Sequence, residues 1–233
     1  MRHIHVERHR AGASSYIRDI ILGGQDGLVN VLGVILAVAA ATTSVKIVLI
    51  AGLAATFAES ISMAAVAYTS TKAQKAHYQK ELEREKWEIR NMPKEEEKEV
   101  HEIYYYKGFR GKLLDQIVRK ITSNKKTWLQ IMMREELGLS DDAESPSKSA
   151  AVVGFSALAG SFIPLIPFLL LPVYEGMIIS ITLSVLVLFI SGAIKAKVTV
   201  GSWLRSGTEM AAIGMGAAII GYLIGAGFGV VLS

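Results

Sequence analysis

Five blocks of apolar residues set the limits on what this chain can become. They occupy residues 19–43, 47–70, 150–171, 177–196 and 208–232. At about 1.5 Å rise per residue, each block, wound as a helix, crosses the ~30 Å hydrocarbon core of a bilayer. That core holds no water to take up backbone polar groups, so a lipid-exposed segment must satisfy its own hydrogen bonds, and the helix does this. The sequence therefore predicts an all-α polytopic membrane protein with five transmembrane helices. A single polar insert, residues 71–148, separates helices two and three.

Charge sits where this division puts water. The insert holds 17 of the 25 Lys and Arg and 15 of the 21 Asp and Glu. Residues 1–18 form a basic tail, and residues 19–70 and 149–233 supply the spans. Tail, insert and the loop from Lys195 to Arg205 carry nearly all the basic residues, and only Lys46 falls in the short turns opposite. The positive-inside tendency then places tail, insert and that third loop in the cytosol. It also accounts for the net charge of +4 and the pI near 9.2. No nucleic-acid partner is needed, and the near-balanced insert argues against one. No cleavable signal peptide is read in the polar N-terminal residues. His3, His5 and His9 read as part of a solvated tail. Cysteine is absent, which removes disulfides, thiolate metal sites and thiol catalysis.

Two acids lie well inside the apolar blocks, whereas Asp19 and Glu209 stand only at the entrances of the first and last. Asp26 lies in the first, flanked by Gly23, Gly24 and Gly27, and Glu59 lies in the second, four residues before Met63. An ionisable side chain inside a span costs roughly 2.5–3.5 kcal/mol on insertion scales, so it marks a pathway or site by default. The alternative for Asp26 is a structural carboxylate tied to Arg18 or to a backbone donor. Carboxylates one turn from a thioether make sense as a divalent-cation site.

The insert reads as helices. One continues the second span as far as Asn91, and Pro93 ends it. KEEEKEVHEIYYYK follows and closes at Gly108. Next is GKLLDQIVRKIT, with Leu114, Ile117, Val118 and Ile121 on one face. KKTWLQIMMREELG ends at Gly138. Glu85 and Glu88 share a helix face, as do Glu96 and Glu99, and a turn at 91–93 lets the two pairs fold together. Leu129, Met132, Met133 and Glu136 form a further face. Packed carboxylates repel unless a cation sits among them. A solvated, salt-bridged surface is the competing reading for the glutamates, and helix core for the methionines. A ferritin-like di-iron centre needs Glu-x-x-His pairs. Gln74 and Lys98 stand three before His77 and His101, so that pattern is absent. Oxygen-rich ligation suits labile Fe²⁺ or Mn²⁺ better than structural zinc. Gly221, Gly225 and Gly229 recur every four residues, a face for close helix packing.

Several of these motifs together resemble the vacuolar iron transporter family. They are RDIILGGQDGLV (residues 18–29), AESISMAA (58–65), IYYYKG (103–108) and WLQIMMREELG (128–138). The resemblance implies a homodimer of five-span protomers that exports Fe²⁺, and often Mn²⁺, from the cytosol in exchange for protons. The metal ions are cargo, and no permanent cofactor is implied. It implies a transport path at the dimer interface with Asp26 and Met63 near its middle, to which Glu59 is added from the residues. It implies metal capture by Glu85, Glu88, Glu96, Glu99, Met132, Met133 and Glu136. The membrane would be plasma membrane in a prokaryote and vacuolar in a eukaryote. One departure stands out. Many members follow the second-span methionine with a Gly-Glu-aromatic step, where this chain has Val66-Ala67-Tyr68. Two rival functions remain open on sequence: a membrane-anchored metal sensor or buffer, and a metal channel without proton coupling. An enzyme is not expected, since the spans lack His, Cys and any serine–base pairing.

Overall fold

The computed structural model describes residues 11–140, 145–198 and 201–232. His3, His5 and His9 lie outside the described residues, as do Asp141 to Glu144 of the polar linker and two residues of the third loop. Eight α-helices make up the described chain, with no strand among the described residues. They are α1 (Ala11–Ala41), α2 (Val45–Asn91), α3 (Pro93–Tyr106), α4 (Gly111–Thr122), α5 (Lys125–Ile131), α6 (Pro146–Leu165), α7 (Val173–Val198) and α8 (Trp203–Leu232). Five of these are long and apolar enough to cross a membrane: α1, α2, α6, α7 and α8. The chain divides into two compact units, Met1–Thr69 with Ser145–Ser233, and Ser70–Glu144.

In the first unit, α1 packs against α6 and α8, and α7 packs against α8. Its core gathers Val31, Leu32, Ile35, Leu36, Val48, Leu165 and Phe168. The outer faces are the reverse of a water-soluble protein: Ile61 is 69% exposed and Phe155 71%. An apolar exterior of this extent is at home in lipid.

Glycine lets the backbones of this unit touch. A Cβ on Gly23 would stand 2.5 Å from the Val153 carbonyl oxygen, and one on Gly27 would stand 2.3 Å from that of Ala157. Both contacts join α1 to α6. On the opposite helix, a Cβ on Gly221 would meet the Gly33 oxygen at 2.3 Å, and one on Gly225 the Ala37 oxygen at 1.8 Å. The predicted small-residue stripe of the last span is therefore occupied by α1 of the same chain. It lends no support to a contact between copies.

Several ends differ from the sequence reading. The third span begins at Pro146 rather than Ala150, because proline is pre-shaped for the first helical position and its missing N–H is not needed there. The fifth begins at Trp203 rather than Thr208. Val173 to Gly176, which lie between the third and fourth apolar blocks, already form the first turn of α7, with the Gly176 N–H donating to the Pro172 carbonyl at 2.8 Å. Pro164 is accommodated inside α6, and its carbonyl accepts from Ser180 Oγ at 2.8 Å. The helix then tightens into a 3₁₀ turn, Ile166–Leu169, around Pro167.

The second unit is close to its prediction. α4 has the predicted ends, and Leu114, Val118 and Ile121 are buried with Ile89, Val100, Trp128 and Met132 in one core. Asn124 caps α5, its side-chain oxygen accepting from the N–H groups of Lys126 and Thr127. Gly108 and Gly138 have φ of +99° and +63°, so glycine suits both helix exits. One feature was not foreseen. After Ile131 the helix widens into a π turn, Met132–Glu136. Such turns are rare and recur at functional sites.

Candidate functional site

Within the first unit, α1 carries Asp26 and α2 carries Glu59. The Glu59 carboxyl lies within interaction reach of two side chains of α1, Asp26 and Asn30. The three are half-buried or exposed rather than sealed in the core. Asn30 follows Asp26 by one turn, so both project from the same side of α1. Met63 is half-buried one turn beyond Glu59 on α2. Two neighbouring carboxylates repel, and a cation between them relieves that repulsion. The structural alternative for Asp26, a tie to Arg18, is taken by a different residue. Asp19 is 4% exposed, accepts from Ser149 Oγ at 2.9 Å and pairs with Arg18 at 3.2 Å.

The second unit gathers five glutamates. Ile89 of α2 and Val100 of α3 share a core, so the turn at Met92 and Pro93 folds the two helices back on each other. This brings Glu85 and Glu88 into the electrostatic field of Glu96 and Glu99, with Glu136 of the π turn beside them. Glu85 is 1% exposed and Glu96 3%. Each has a buried Oε2 with no hydrogen-bond partner. Burial, then the charges of Glu99 and Glu85, push the Glu96 carboxyl up to about 8. Desolvation, then Glu99 and Glu85, push Glu136 up to about 7. Burial also raises Glu85 and Glu99.

Arg84 supplies the local positive charge. Its guanidinium lies 3.2 Å from Glu81, 3.3 Å from Glu85 and 3.6 Å from Glu88. Glu135, outside the group, pairs with Lys107, which holds it below the usual carboxylate range. Met132 and Met133 are both buried. Met132 belongs to the hydrophobic core beside Val100 and Trp128, whereas Met133 lies outside that cluster. Among the described residues, no three His, Cys, Asp or Glu side chains already stand as a closed metal cage. The glutamates converge as a field of negative charge with unsatisfied oxygens. Carboxylate oxygens of this kind suit a labile divalent cation such as Mn²⁺.

Residues 17–226 match the VIT family. The chain is 36% identical to vacuolar iron transporter 1 of Arabidopsis thaliana over 212 residues, which cover 90% of this chain and 84% of that protein. It is 32% identical to vacuolar iron transporter 1 of Tulipa gesneriana, covering 94% of this chain and 89% of that one. The vacuolar iron transporter of Plasmodium falciparum is 31% identical, covering 95% and 85%. The chain belongs to the VIT family.

In this VIT-family chain, the structure brings together Asp26 with Glu59, and Glu85 with Glu88, Glu96, Glu99 and Glu136. Three participants escaped the sequence reading. Asn30 was available as the polar residue one turn after Asp26. Arg84 was hidden among many basic residues, and its geometry toward three acids needed coordinates. The π turn has no sequence signal of its own. Met210, at the mouth of the last span, proves to be a core residue packed with Leu28 and Leu188.

Proposed function

We propose that this protein is a membrane iron transporter that moves Fe²⁺, and Mn²⁺ as a second cargo, out of the cytosol in exchange for protons. Family membership and the names of the relatives support iron as cargo. The observation that carries a transport path is the meeting of Asp26 and Glu59 on helices apolar enough to span a membrane.

The reading works as follows. The insert faces the cytosol, and Glu85, Glu88, Glu96, Glu99 and Glu136, with Met133 as the soft donor and Met132 packed in the core beside it, capture the dication. Burying two carboxylates with unsatisfied oxygens is unfavourable until a proton or metal neutralises them. The ion then passes to Asp26 and Glu59, with Met63 as thioether donor and Asn30 as a neutral oxygen donor. Protons compete with the dication for these two carboxyls. A dication takes the proton's place, so metal loading releases protons and protons from the far side release metal. A site that opens alternately to the two sides then couples the fluxes. The protomer works as one half of a homodimer.

Uptake of Fe²⁺ and Mn²⁺ by proteoliposomes, with and without a pH gradient, tests this. Gradient-driven uptake that Asp26→Asn abolishes is expected. Uptake indifferent to the gradient makes the protein a channel, and metal binding without uptake makes it a sensor or buffer.

A further inference from the structure

The glutamate group already contains a cation of its own. Arg84 sits in the turn of α2 between Glu81 and Glu88 and reaches three carboxylates at once. Its own side chain is 47% exposed, while its partner Glu85 is 1% exposed. The guanidinium therefore comes in from the solvent side and satisfies only one oxygen of Glu85. The other oxygen, and one oxygen of Glu96, stay buried and unpartnered on the inner side. A carboxylate that splits its two oxygens in this way is half neutralised. It is ready for a second cation on the inner side.

We propose that Arg84 is a resident counter-ion that a divalent cation displaces, so that Arg84 sets how loosely the insert holds its metal. The inference rests on the reading of the glutamates as metal-capturing residues. Its physical basis is competition for the same carboxylates. A dication drawing in Glu85 and Glu88 offers each carboxylate more charge at closer range than a guanidinium shared among three. Once metal is bound, Arg84 is left beside like charge and swings out to solvent, which its exposure permits. Two demands are met together. The empty group is kept from flying apart by repulsion, and the loaded group pays a fixed penalty that favours release. A capture site that bound too tightly would not hand its cargo on. Lys86, two residues on and so on another face of α2, pairs with exposed Glu83 instead and serves as the control.

The test uses the full chain in detergent and measures Mn²⁺ affinity by calorimetry. Arg84→Gln should bind Mn²⁺ about five- to tenfold more tightly, the scale expected for removing two or three competing ion pairs. Its metal-free melting midpoint should fall. Arg84→Lys should stay near wild-type affinity, and Lys86→Gln should change nothing. An arginine that merely braces the helix would lower both stability and affinity, so weaker or unchanged Mn²⁺ binding by a folded Arg84→Gln overturns the proposal. Should that variant not fold, the wild-type protein still decides. With Mn²⁺ bound, its structure should show the guanidinium beyond 4 Å from Glu85 and Glu88, and a guanidinium still paired with both overturns the proposal. If wild type binds no Mn²⁺, or if Glu96→Gln and Glu99→Gln leave binding intact, the metal-capture reading itself fails, a result distinct from the others.

Discussion

The Glu59 carboxyl of α2 reaches Asp26 of α1, bringing two acids together from separate apolar helices. Neither helix alone explains an acid in an apolar block. Together they make a pair that one proton or one dication can bridge.

Replacing either member should therefore abolish transport without unfolding the protein. Asp26→Asn and Glu59→Gln are expected to reduce Fe²⁺ uptake into proteoliposomes to the level of empty vesicles. The double variant should be no worse than either single one, since the two act as a unit. Uptake above background in Asp26→Asn removes that residue from the path.

Stability should depend on pH in a definite direction. The Glu96 and Glu136 carboxyls sit at about 8 and about 7 in the fold, above an ordinary value of 4.5. Between pH 4.5 and 8 the folded chain therefore holds more protons than the unfolded one, and stability falls as pH rises through that window. Melting midpoints of the metal-free protein in detergent should drop from pH 5 to pH 8. Glu96→Gln should flatten the slope, and Mn²⁺ should restore the midpoint at pH 8 because it binds the folded state.

The two methionines should part company. Met132 is fully buried in the core with Val100 and Trp128, so Met132→Leu keeps the packing and should leave Co²⁺ and Fe²⁺ affinity close to wild type. Met133 lies outside that cluster, and Met133→Leu should weaken binding several-fold while sparing Mg²⁺, which takes no thioether. Equal effects on both metals would argue against a sulfur donor.

Glycines of the last helix give a paired stability test. A Cβ on Gly225 would fall 1.8 Å from the Ala37 oxygen, whereas one on Gly227 meets nothing within 4 Å. Gly225→Ala should destabilise the protein by about 1–3 kcal/mol. Gly227→Ala should be neutral or gain up to ~1 kcal/mol from helix propensity. Thermal melts of the two variants in one detergent compare them directly.

The sequence was most informative where a single helix decides the matter. Length and hydropathy marked the five long apolar helices. Gly108, Gly138 and Pro93 marked helix ends because each forces or forbids a local backbone geometry. The glutamate spacing marked which acids share a face. Relations between distant segments were less legible. The stripe at Gly221 and Gly225 announced a close contact, and only the fold identifies α1 as its partner. The pairing of Asp26 with Glu59 depends on how two helices are turned about their axes, which no spacing within either one encodes. Arg84 was one basic residue among seventeen in the insert until its distances to three acids were known.

Backbone contact on two sides gives α1 a particular standing in the first unit. Held by bare glycine seams to α6 and to α8, it has no side-chain cushion through which to slide or roll. Asp26 thereby stands on a helix fixed by backbone contact on both flanks. α2 meets the same bundle through glycine as well, since a Cβ on Gly154 of α6 would fall 3.3 Å from its Ser60 oxygen, so both acids are borne on closely seamed helices.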